Sequence, residues 1–187
     1  MPNDAVTPTD QSGATVIRGA PHTESLGLRG RYEVVCIGAN GKEKWRDTIE
    51  NLVTTVGKND FLDKYLKGSA YTQTIRMGLK GTGTAVVGDT QASHAGWSEV
   101  GLANAPTYTG NRQSVTMNSA SAGSSSSPTQ TFSITSSGTV AGCFINNGGS
   151  ATKDDTTGIL FSAGDFTGGS KTVANGDTLN VTYTLSV

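Results

Sequence analysis

Long apolar runs are missing from this chain of 187 residues: nowhere do about 18 apolar residues follow one another, the length a membrane-spanning helix requires. The first residues also lack the basic stretch and apolar run of a secretion signal, so the expectation is a soluble protein with no membrane partner. A basic excess is missing too. The 14 Lys/Arg are balanced by 15 Asp/Glu for a net charge of −1, so little is available to neutralise a phosphate backbone, and nucleic acid is not an expected partner. Histidine and cysteine are scarce, two of each, with no H-x-x-x-H or C-x-x-C spacing, so a structural zinc site has no ligand set and no cofactor is expected. Cys36 and Cys143 each sit inside an apolar, strand-like run, which suits buried thiols better than a disulfide.

What the chain does have is small and turn-forming residues. Gly occupies 25 positions while aromatic residues reach only 6%, a balance that favours short strands joined by many turns. The length suits one domain, able to bury about 70% of its unfolded surface. Charge is unevenly spread: residues 1–80 hold 11 Lys/Arg against 9 Asp/Glu, and residues 81–187 hold 3 against 6, the second half being rich in Ser and Thr instead.

Residues 1–30 are polar, contain Pro2, Pro8 and Pro21, and show no sustained period, so they read as an extended N-terminal arm. A β domain then spans 31–187. Its first element is Arg31–Ala39 followed by Asn40-Gly41 and Lys42–Ile49, the pattern of a hairpin whose two central residues both reach positive φ. Leu52, Val53, Val56, Phe61, Leu62, Tyr65 and Leu66 follow at near-helical spacing, with Gly68 as a stop. This predicts one short amphipathic helix, centred on 58–67, with its apolar face on the sheet. Period-2 runs predict further strands at 72–81, 112–119, 129–136, 139–147, 157–164 and 177–187. About eight short strands with frequent turns give a mainly β fold, an antiparallel β-sandwich or jelly-roll-like domain. Ser124–Ser127, closed by Pro128, reads as an exposed hairpin loop.

Catalytic chemistry finds little support. His22 lies in the arm with nothing to orient it, and His94 sits beside Ser93 without the strained G-x-S-x-G turn of a nucleophile. The stronger reading makes Asp89, His94 and Trp97 structural anchors of a long loop, with the imidazole bonded to a backbone carbonyl and the indole packed on the core. Lys153–Gly158 (KDDTTG) lacks the ligand positions of a calcium loop, and Lys80–Thr90 lacks the Lys-Ser/Thr ending of a phosphate loop. The chain is therefore not expected to be an enzyme.

Three segments carry a resemblance: NLVTTVGKNDFLDKYLKGSAYT (Asn51–Thr72), GDTQASHAGWSE (Gly88–Glu99) and ANGDTLNVTYTLSV (Ala174–Val187). Together they resemble small virion structural proteins of tailed bacteriophages, over roughly residues 31–187. The family's aromatic pair before a glycine, in the strand after Tyr71, stands here as Ile75-Arg76-Met77-Gly78. The resemblance implies a virion location on the capsid surface after synthesis in the host cytoplasm. It also implies a cement or decoration role that binds and stabilises the assembled major capsid protein as a homo-oligomer, trimer or dimer. On that reading the arm and first hairpin hold the shell, and Val6, Val16, Ile17, Leu26, Leu28 and Arg31 are the candidate partner-binding residues. The alternative is a head-fibre or tail-fibre module that binds host-surface glycan through Tyr108, Asn111 and Arg112.

Overall fold

The structure, a computed structural model, describes residues 27–187. Most of the expected arm, with Val6, Val16, Ile17 and Leu26, lies outside the described residues. In chain order the elements are β1 (Arg29–Ile37), β2 (Glu43–Val53), α1 (Thr55–Tyr65), β3 (Ile75–Gly83), β4 (Trp97–Val100), β5 (Gln113–Val115) and β6 (Ser124–Ser126). They continue with β7 (Gln130–Ser133), β8 (Gly138–Val140), β9 (Gly142–Asn147), β10 (Ile159–Asp165), β11 (Lys171–Val173) and β12 (Thr178–Ser186). The mainly β, antiparallel, sandwich-like fold with one helix agrees with the sequence reading.

Two sheet faces enclose the core. On one side β1 lies between β2 and β12, and β12 carries β6 and β7 on its far edge. On the other, β10, β9 and β3 run side by side, with β4 and β5 both pairing with β3. The long β2 joins the two, because its last residues Leu52 and Val53 leave β1 to pair with Ala163 and Ser162. Strand alternation supplies the core: Tyr32, Val34 and Cys36 from β1 and Leu179, Val181 and Tyr183 from β12 meet Met77, Leu79, Cys143 and Ile145. Both cysteines are free and buried there.

The second sheet is covered on both faces. In β3, Met77 and Leu79 face the core, while Gly78 and Lys80 face outward to a second cluster of Trp97, Phe144, Leu160 and Ala163. A methyl group at Gly78 would lie 2.3 Å from Phe144 Cζ, so the ring can cross this strand only over a glycine.

Several expectations change. The first hairpin forms, but its turn is the longer Gly38–Lys42: the Gly41 N–H reaches the Gly38 carbonyl, and only Gly41, at φ +77°, takes positive φ. This matches a three-residue loop ending in a left-handed glycine, so Asn40 avoids that conformation and its Oδ1 accepts from the Lys42 N–H instead. The first strand, expected from Arg31, starts at Arg29. Expected strand 139–147 is broken at Ala141, where β8 leaves to pair with β11.

The Ser124–Ser127 tract is a strand rather than an exposed loop. Its backbone completes the edge of β12 from Thr184 to Ser186, and Ser127, 3% exposed, gives its N–H to Tyr183 O at 2.7 Å. Backbone pairing needs no apolar side chain, so hydropathy carries no trace of it. The helix begins earlier than expected and does not lay an apolar stripe on the sheet. Thr54 caps it by accepting from the Gly57 N–H at 3.0 Å, and Gly57 is buried so tightly that a Cβ would meet Phe161 O at 2.3 Å. Contact is thus made by backbone at the first turn, while Leu62, Tyr65 and Leu66 stay 46%, 78% and 72% exposed.

Candidate functional site

The long segment between β3 and β4 covers the outer cluster, and it brings Asp89, His94 and Trp97 together. Trp97 packs on Phe144 with ring centroids 5.5 Å apart, and its Nε1–H donates to Asp89 Oδ2 at 3.0 Å. The same carboxylate oxygen accepts the Val86 N–H at 2.9 Å. The His94 ring stacks on the indole at 4.0 Å, and its Nδ1 lies 3.0 Å from the Trp97 carbonyl, so Nδ1 carries the proton in that bond. Lys80, fully buried, sets its ammonium 5.7 Å from the Trp97 ring centroid and pairs with Asp165. Ser93 spends its N–H on Thr90 Oγ1, and no hydrogen bond joins it to His94 among the described residues.

Beside this loop lies an ion pair that sequence reasoning missed. Arg112 and Glu99, 0% and 3% exposed at the side chain, meet in a two-pronged contact: Nε to Oε1 at 3.0 Å and Nη2 to Oε2 at 2.6 Å. Arg112 also donates to the carbonyls of Ser150 and Asp155, and Glu99 accepts the Asp154 N–H. These bonds pin the KDDTTG turn, whose Asp154 takes φ +62° and accepts the Ala103 N–H, while Asp155 accepts from Thr157. Both aspartates serve loop geometry. Among the described residues no group of three or more His, Cys, Asp or Glu is placed to hold a metal ion.

An apolar groove of about 370 Å³ lies at one end of the sandwich. Tyr183 and Leu185 line it from one sheet, Ile75 and Ile145 from the other, and Phe61 and Tyr65 of α1 roof it. Of the five partly buried residues packed on the main core, four (Ile75, Met117, Phe161 and Leu185) face this groove, so it is the uncapped end of the core. Its mouth is rimmed by Asp60, Lys64 and the half-exposed Tyr71.

The expected partner-binding residues that the structure describes flank this end. Leu28 is half-buried just before β1. Arg31 is exposed and pairs loosely with Glu33 at 3.6 Å and Glu50 at 3.8 Å. Of the residues assigned to the glycan alternative, only Asn111 is exposed. Tyr108 is 2% and Arg112 3% exposed, so neither offers a surface to a sugar. Their polar type suggested an outward position, but Arg112 is turned inward by Glu99, and the Tyr108 ring carries the buried Lys153 ammonium 4.2 Å from its centroid.

The antiparallel β-sandwich-like fold therefore carries two surface features of note, an anchored outer loop and an uncapped apolar groove. No family model matches the chain, and neither a curated protein nor a solved structure matches it.

Proposed function

We propose that the chain is a virion structural protein, a capsid cement subunit that binds the assembled major capsid protein and stabilises the shell without catalysing a reaction. The observation that carries this reading is the outward apolar face of α1. Leu62, Tyr65 and Leu66, with the half-exposed Leu52 and Tyr71 nearby in sequence, leave large apolar side chains in solvent at one end of a rigid domain. Leu62, Tyr65 and Leu66 stand at i, i+3 and i+4 and so share one face of the helix, and an exposed apolar face of this kind is characteristic of a protein contact surface. The resemblance of the segments around α1, the outer loop and β12 to small phage virion proteins supports the same assignment.

Both chain directions at that end favour a docking role. Gly30 pairs with Asn51 and Leu185, so the base of the N-terminal arm, the start of α1 and the end of β12 converge. The shell-facing surface in this proposal is the open end of the first hairpin with Arg31, the arm, and the α1 face. The hairpin tip at Gly38–Lys42 points the other way. Homo-oligomers at local symmetry axes, dimers or trimers, would repeat the contact. Binding only the assembled form stabilises it by mass action.

The test is co-sedimentation of the purified protein with capsids lacking it, counting bound copies against the major shell subunit. Saturable binding at a fixed symmetric ratio, lost in a Leu62→Ser/Tyr65→Ser/Leu66→Ser variant that keeps its thermal midpoint, is the expected result. Absence of binding, or binding confined to tails, overturns the proposal.

A further inference from the structure

We propose that the groove at the open end of the sandwich is a socket for a tryptophan side chain of a partner polypeptide. The proposal deepens the docking reading above and rests on it for the partner being a protein, but it is tested without capsids, so either can fail alone.

The chemistry of the groove is one-sided. Ile75, Met117, Ile145 and Phe161 give it apolar walls, and the Phe61 and Tyr65 rings above them lie nearly parallel, 12° apart in plane with centroids separated by 6.3 Å. Against these stands one unmet polar group. Asn147, 9% exposed and lining the groove, gives its Nδ2–H to Asp60 Oδ2 at 2.7 Å, while its Oδ1 has no partner. That orientation is forced, because a carboxylate only accepts and the amide must turn its NH2 toward it. Lys64, on the same rim, directs its ammonium to the Ala70 carbonyl at 3.0 Å instead. The Asn147 oxygen is shielded from bulk water, so its donor has to arrive on a group seated in the groove.

These features select the occupant. It must be largely apolar, must present a donor and must carry no net charge, since Asp60 and Lys64, 4.0 Å apart on the rim, already balance each other. Among side chains, Trp alone combines a wide apolar ring system with a polar group that donates and never accepts. Tyr would bring acceptor lone pairs to walls that offer no donor, and Phe would leave the Asn147 oxygen unmet. Lys or Arg would set a second cation beside Lys64. At about 370 Å³ the groove is at the small end of the roughly 300–1,000 Å³ range of ligand pockets, room for one large side chain. A recess of about 190 Å³ adjoins it, shares Asp60, Lys64, Tyr71 and Asn147 with it, and has space for the main chain that carries the ring. Tyr65 belongs both to the groove and to the exposed α1 face, so the socket opens beside the docking surface, and buried aromatic anchors dominate such contacts.

The test is an NMR titration of the full chain, methyl-labelled at Ile and Met, with three probes: N-acetyl-tryptophanamide, its analogue methylated on the indole nitrogen, and N-acetyl-phenylalaninamide. The tryptophan amide should shift the Ile75, Met117 and Ile145 methyls with a Kd on the order of 100 μM to 1 mM. The other two should bind at least about tenfold more weakly, the loss expected when a bond to a buried acceptor is not made. In Asn147→Leu the advantage of the free indole N–H over the methylated one should disappear. If that variant does not fold, the comparison of the three probes on the wild-type chain decides alone. Equal binding of the free and methylated indoles, tighter binding of hexylamine than of the tryptophan amide, or no shift of these methyls at about tenfold that Kd overturns the proposal. Methyl shifts that appear on concentrating the protein without any probe overturn it in favour of a second copy as the occupant.

Discussion

Removing Arg112 should be among the most damaging single changes available in this fold. In Arg112→Met the aliphatic body is kept over Phe144, where the guanidinium now lies 5.4 Å from the ring centroid. Glu99, 4% exposed, loses both prongs of its contact and keeps only the Asp154 N–H, while the Ser150 and Asp155 carbonyls lose a donor. Stranding one partner of a buried pair costs about 3–5 kcal/mol. For a domain of this size each kcal/mol moves Tm by roughly 2–4 °C, so the midpoint should fall by about 6–20 °C. Adding Glu99→Leu removes the stranded charge, and the double variant should recover about 1–3 kcal/mol relative to Arg112→Met, the donors lost by the Ser150 and Asp155 carbonyls preventing full return. Urea unfolding of wild type, both single variants and the double variant, analysed as a double-mutant cycle, measures the coupling directly. A loss below about 1 kcal/mol for Arg112→Met, or a double variant as unstable as the sum of the singles, would refute the assignment of this pair as a satisfied buried unit.

Three further outcomes are expected. Gly78→Ala places a methyl group 2.3 Å from the Phe144 ring and should destabilise the fold by about 1–3 kcal/mol in the same urea assay, whereas Gly148→Ala, with open space around its Cβ position, should show only the smaller cost of its φ of +74°. Burial, reinforced by the Asp177 carboxylate, pushes the Cys36 thiol up to about 11, and burial alone raises that of Cys143. Both should resist a thiol reagent at pH 8 until the protein unfolds, and rapid labelling of native protein would contradict the packing. Burial tends to raise the Asp177 carboxyl, but the Lys44 ammonium at 2.6 Å and the Ala174 N–H outweigh it and hold it below the usual range. A carboxyl lowered in the folded state stabilises above its unfolded pKa of about 3.9 and loses that contribution as pH falls through the folded value. The Tm of Asp177→Asn should therefore decline less steeply than wild type below about pH 4, and parallel acid limbs would count against the Lys44–Asp177 link.

Strand identity was legible wherever side chains alternate. Tyr32, Val34 and Cys36, or Leu179, Val181 and Tyr183, announce an inward face by spacing alone. What escaped was structure carried by the backbone. Ser124–Ser126 pairs with β12 without apolar residues, and α1 docks through Gly57 rather than through a stripe of leucines. The Asp89, His94 and Trp97 contacts could be anticipated because all three lie within nine residues of one another, so one loop had to hold them. Glu99 and Arg112 could not, since their meeting depends on β4 and β5 both pairing with β3. The groove was equally invisible: Ile75, Met117, Phe161 and Leu185 come from distant segments, and nothing in their individual patterns says that the space between them stays open.

The pairing of β1 with β12 sets the order in which this molecule can be finished. Arg29 and Ser186, partners in the ladder, lie 157 positions apart. β12 is also the strand on which β6 and β7 lay their backbone. A central strand of the first sheet is thus synthesised long after its partner, and until it emerges β1 waits with an open edge and no neighbour on that side. Closure over such a span is entropically slow and leaves a pairing-prone intermediate during synthesis, so the rate at which correctly folded copies accumulate should depend on β12 more than on any other strand of similar length.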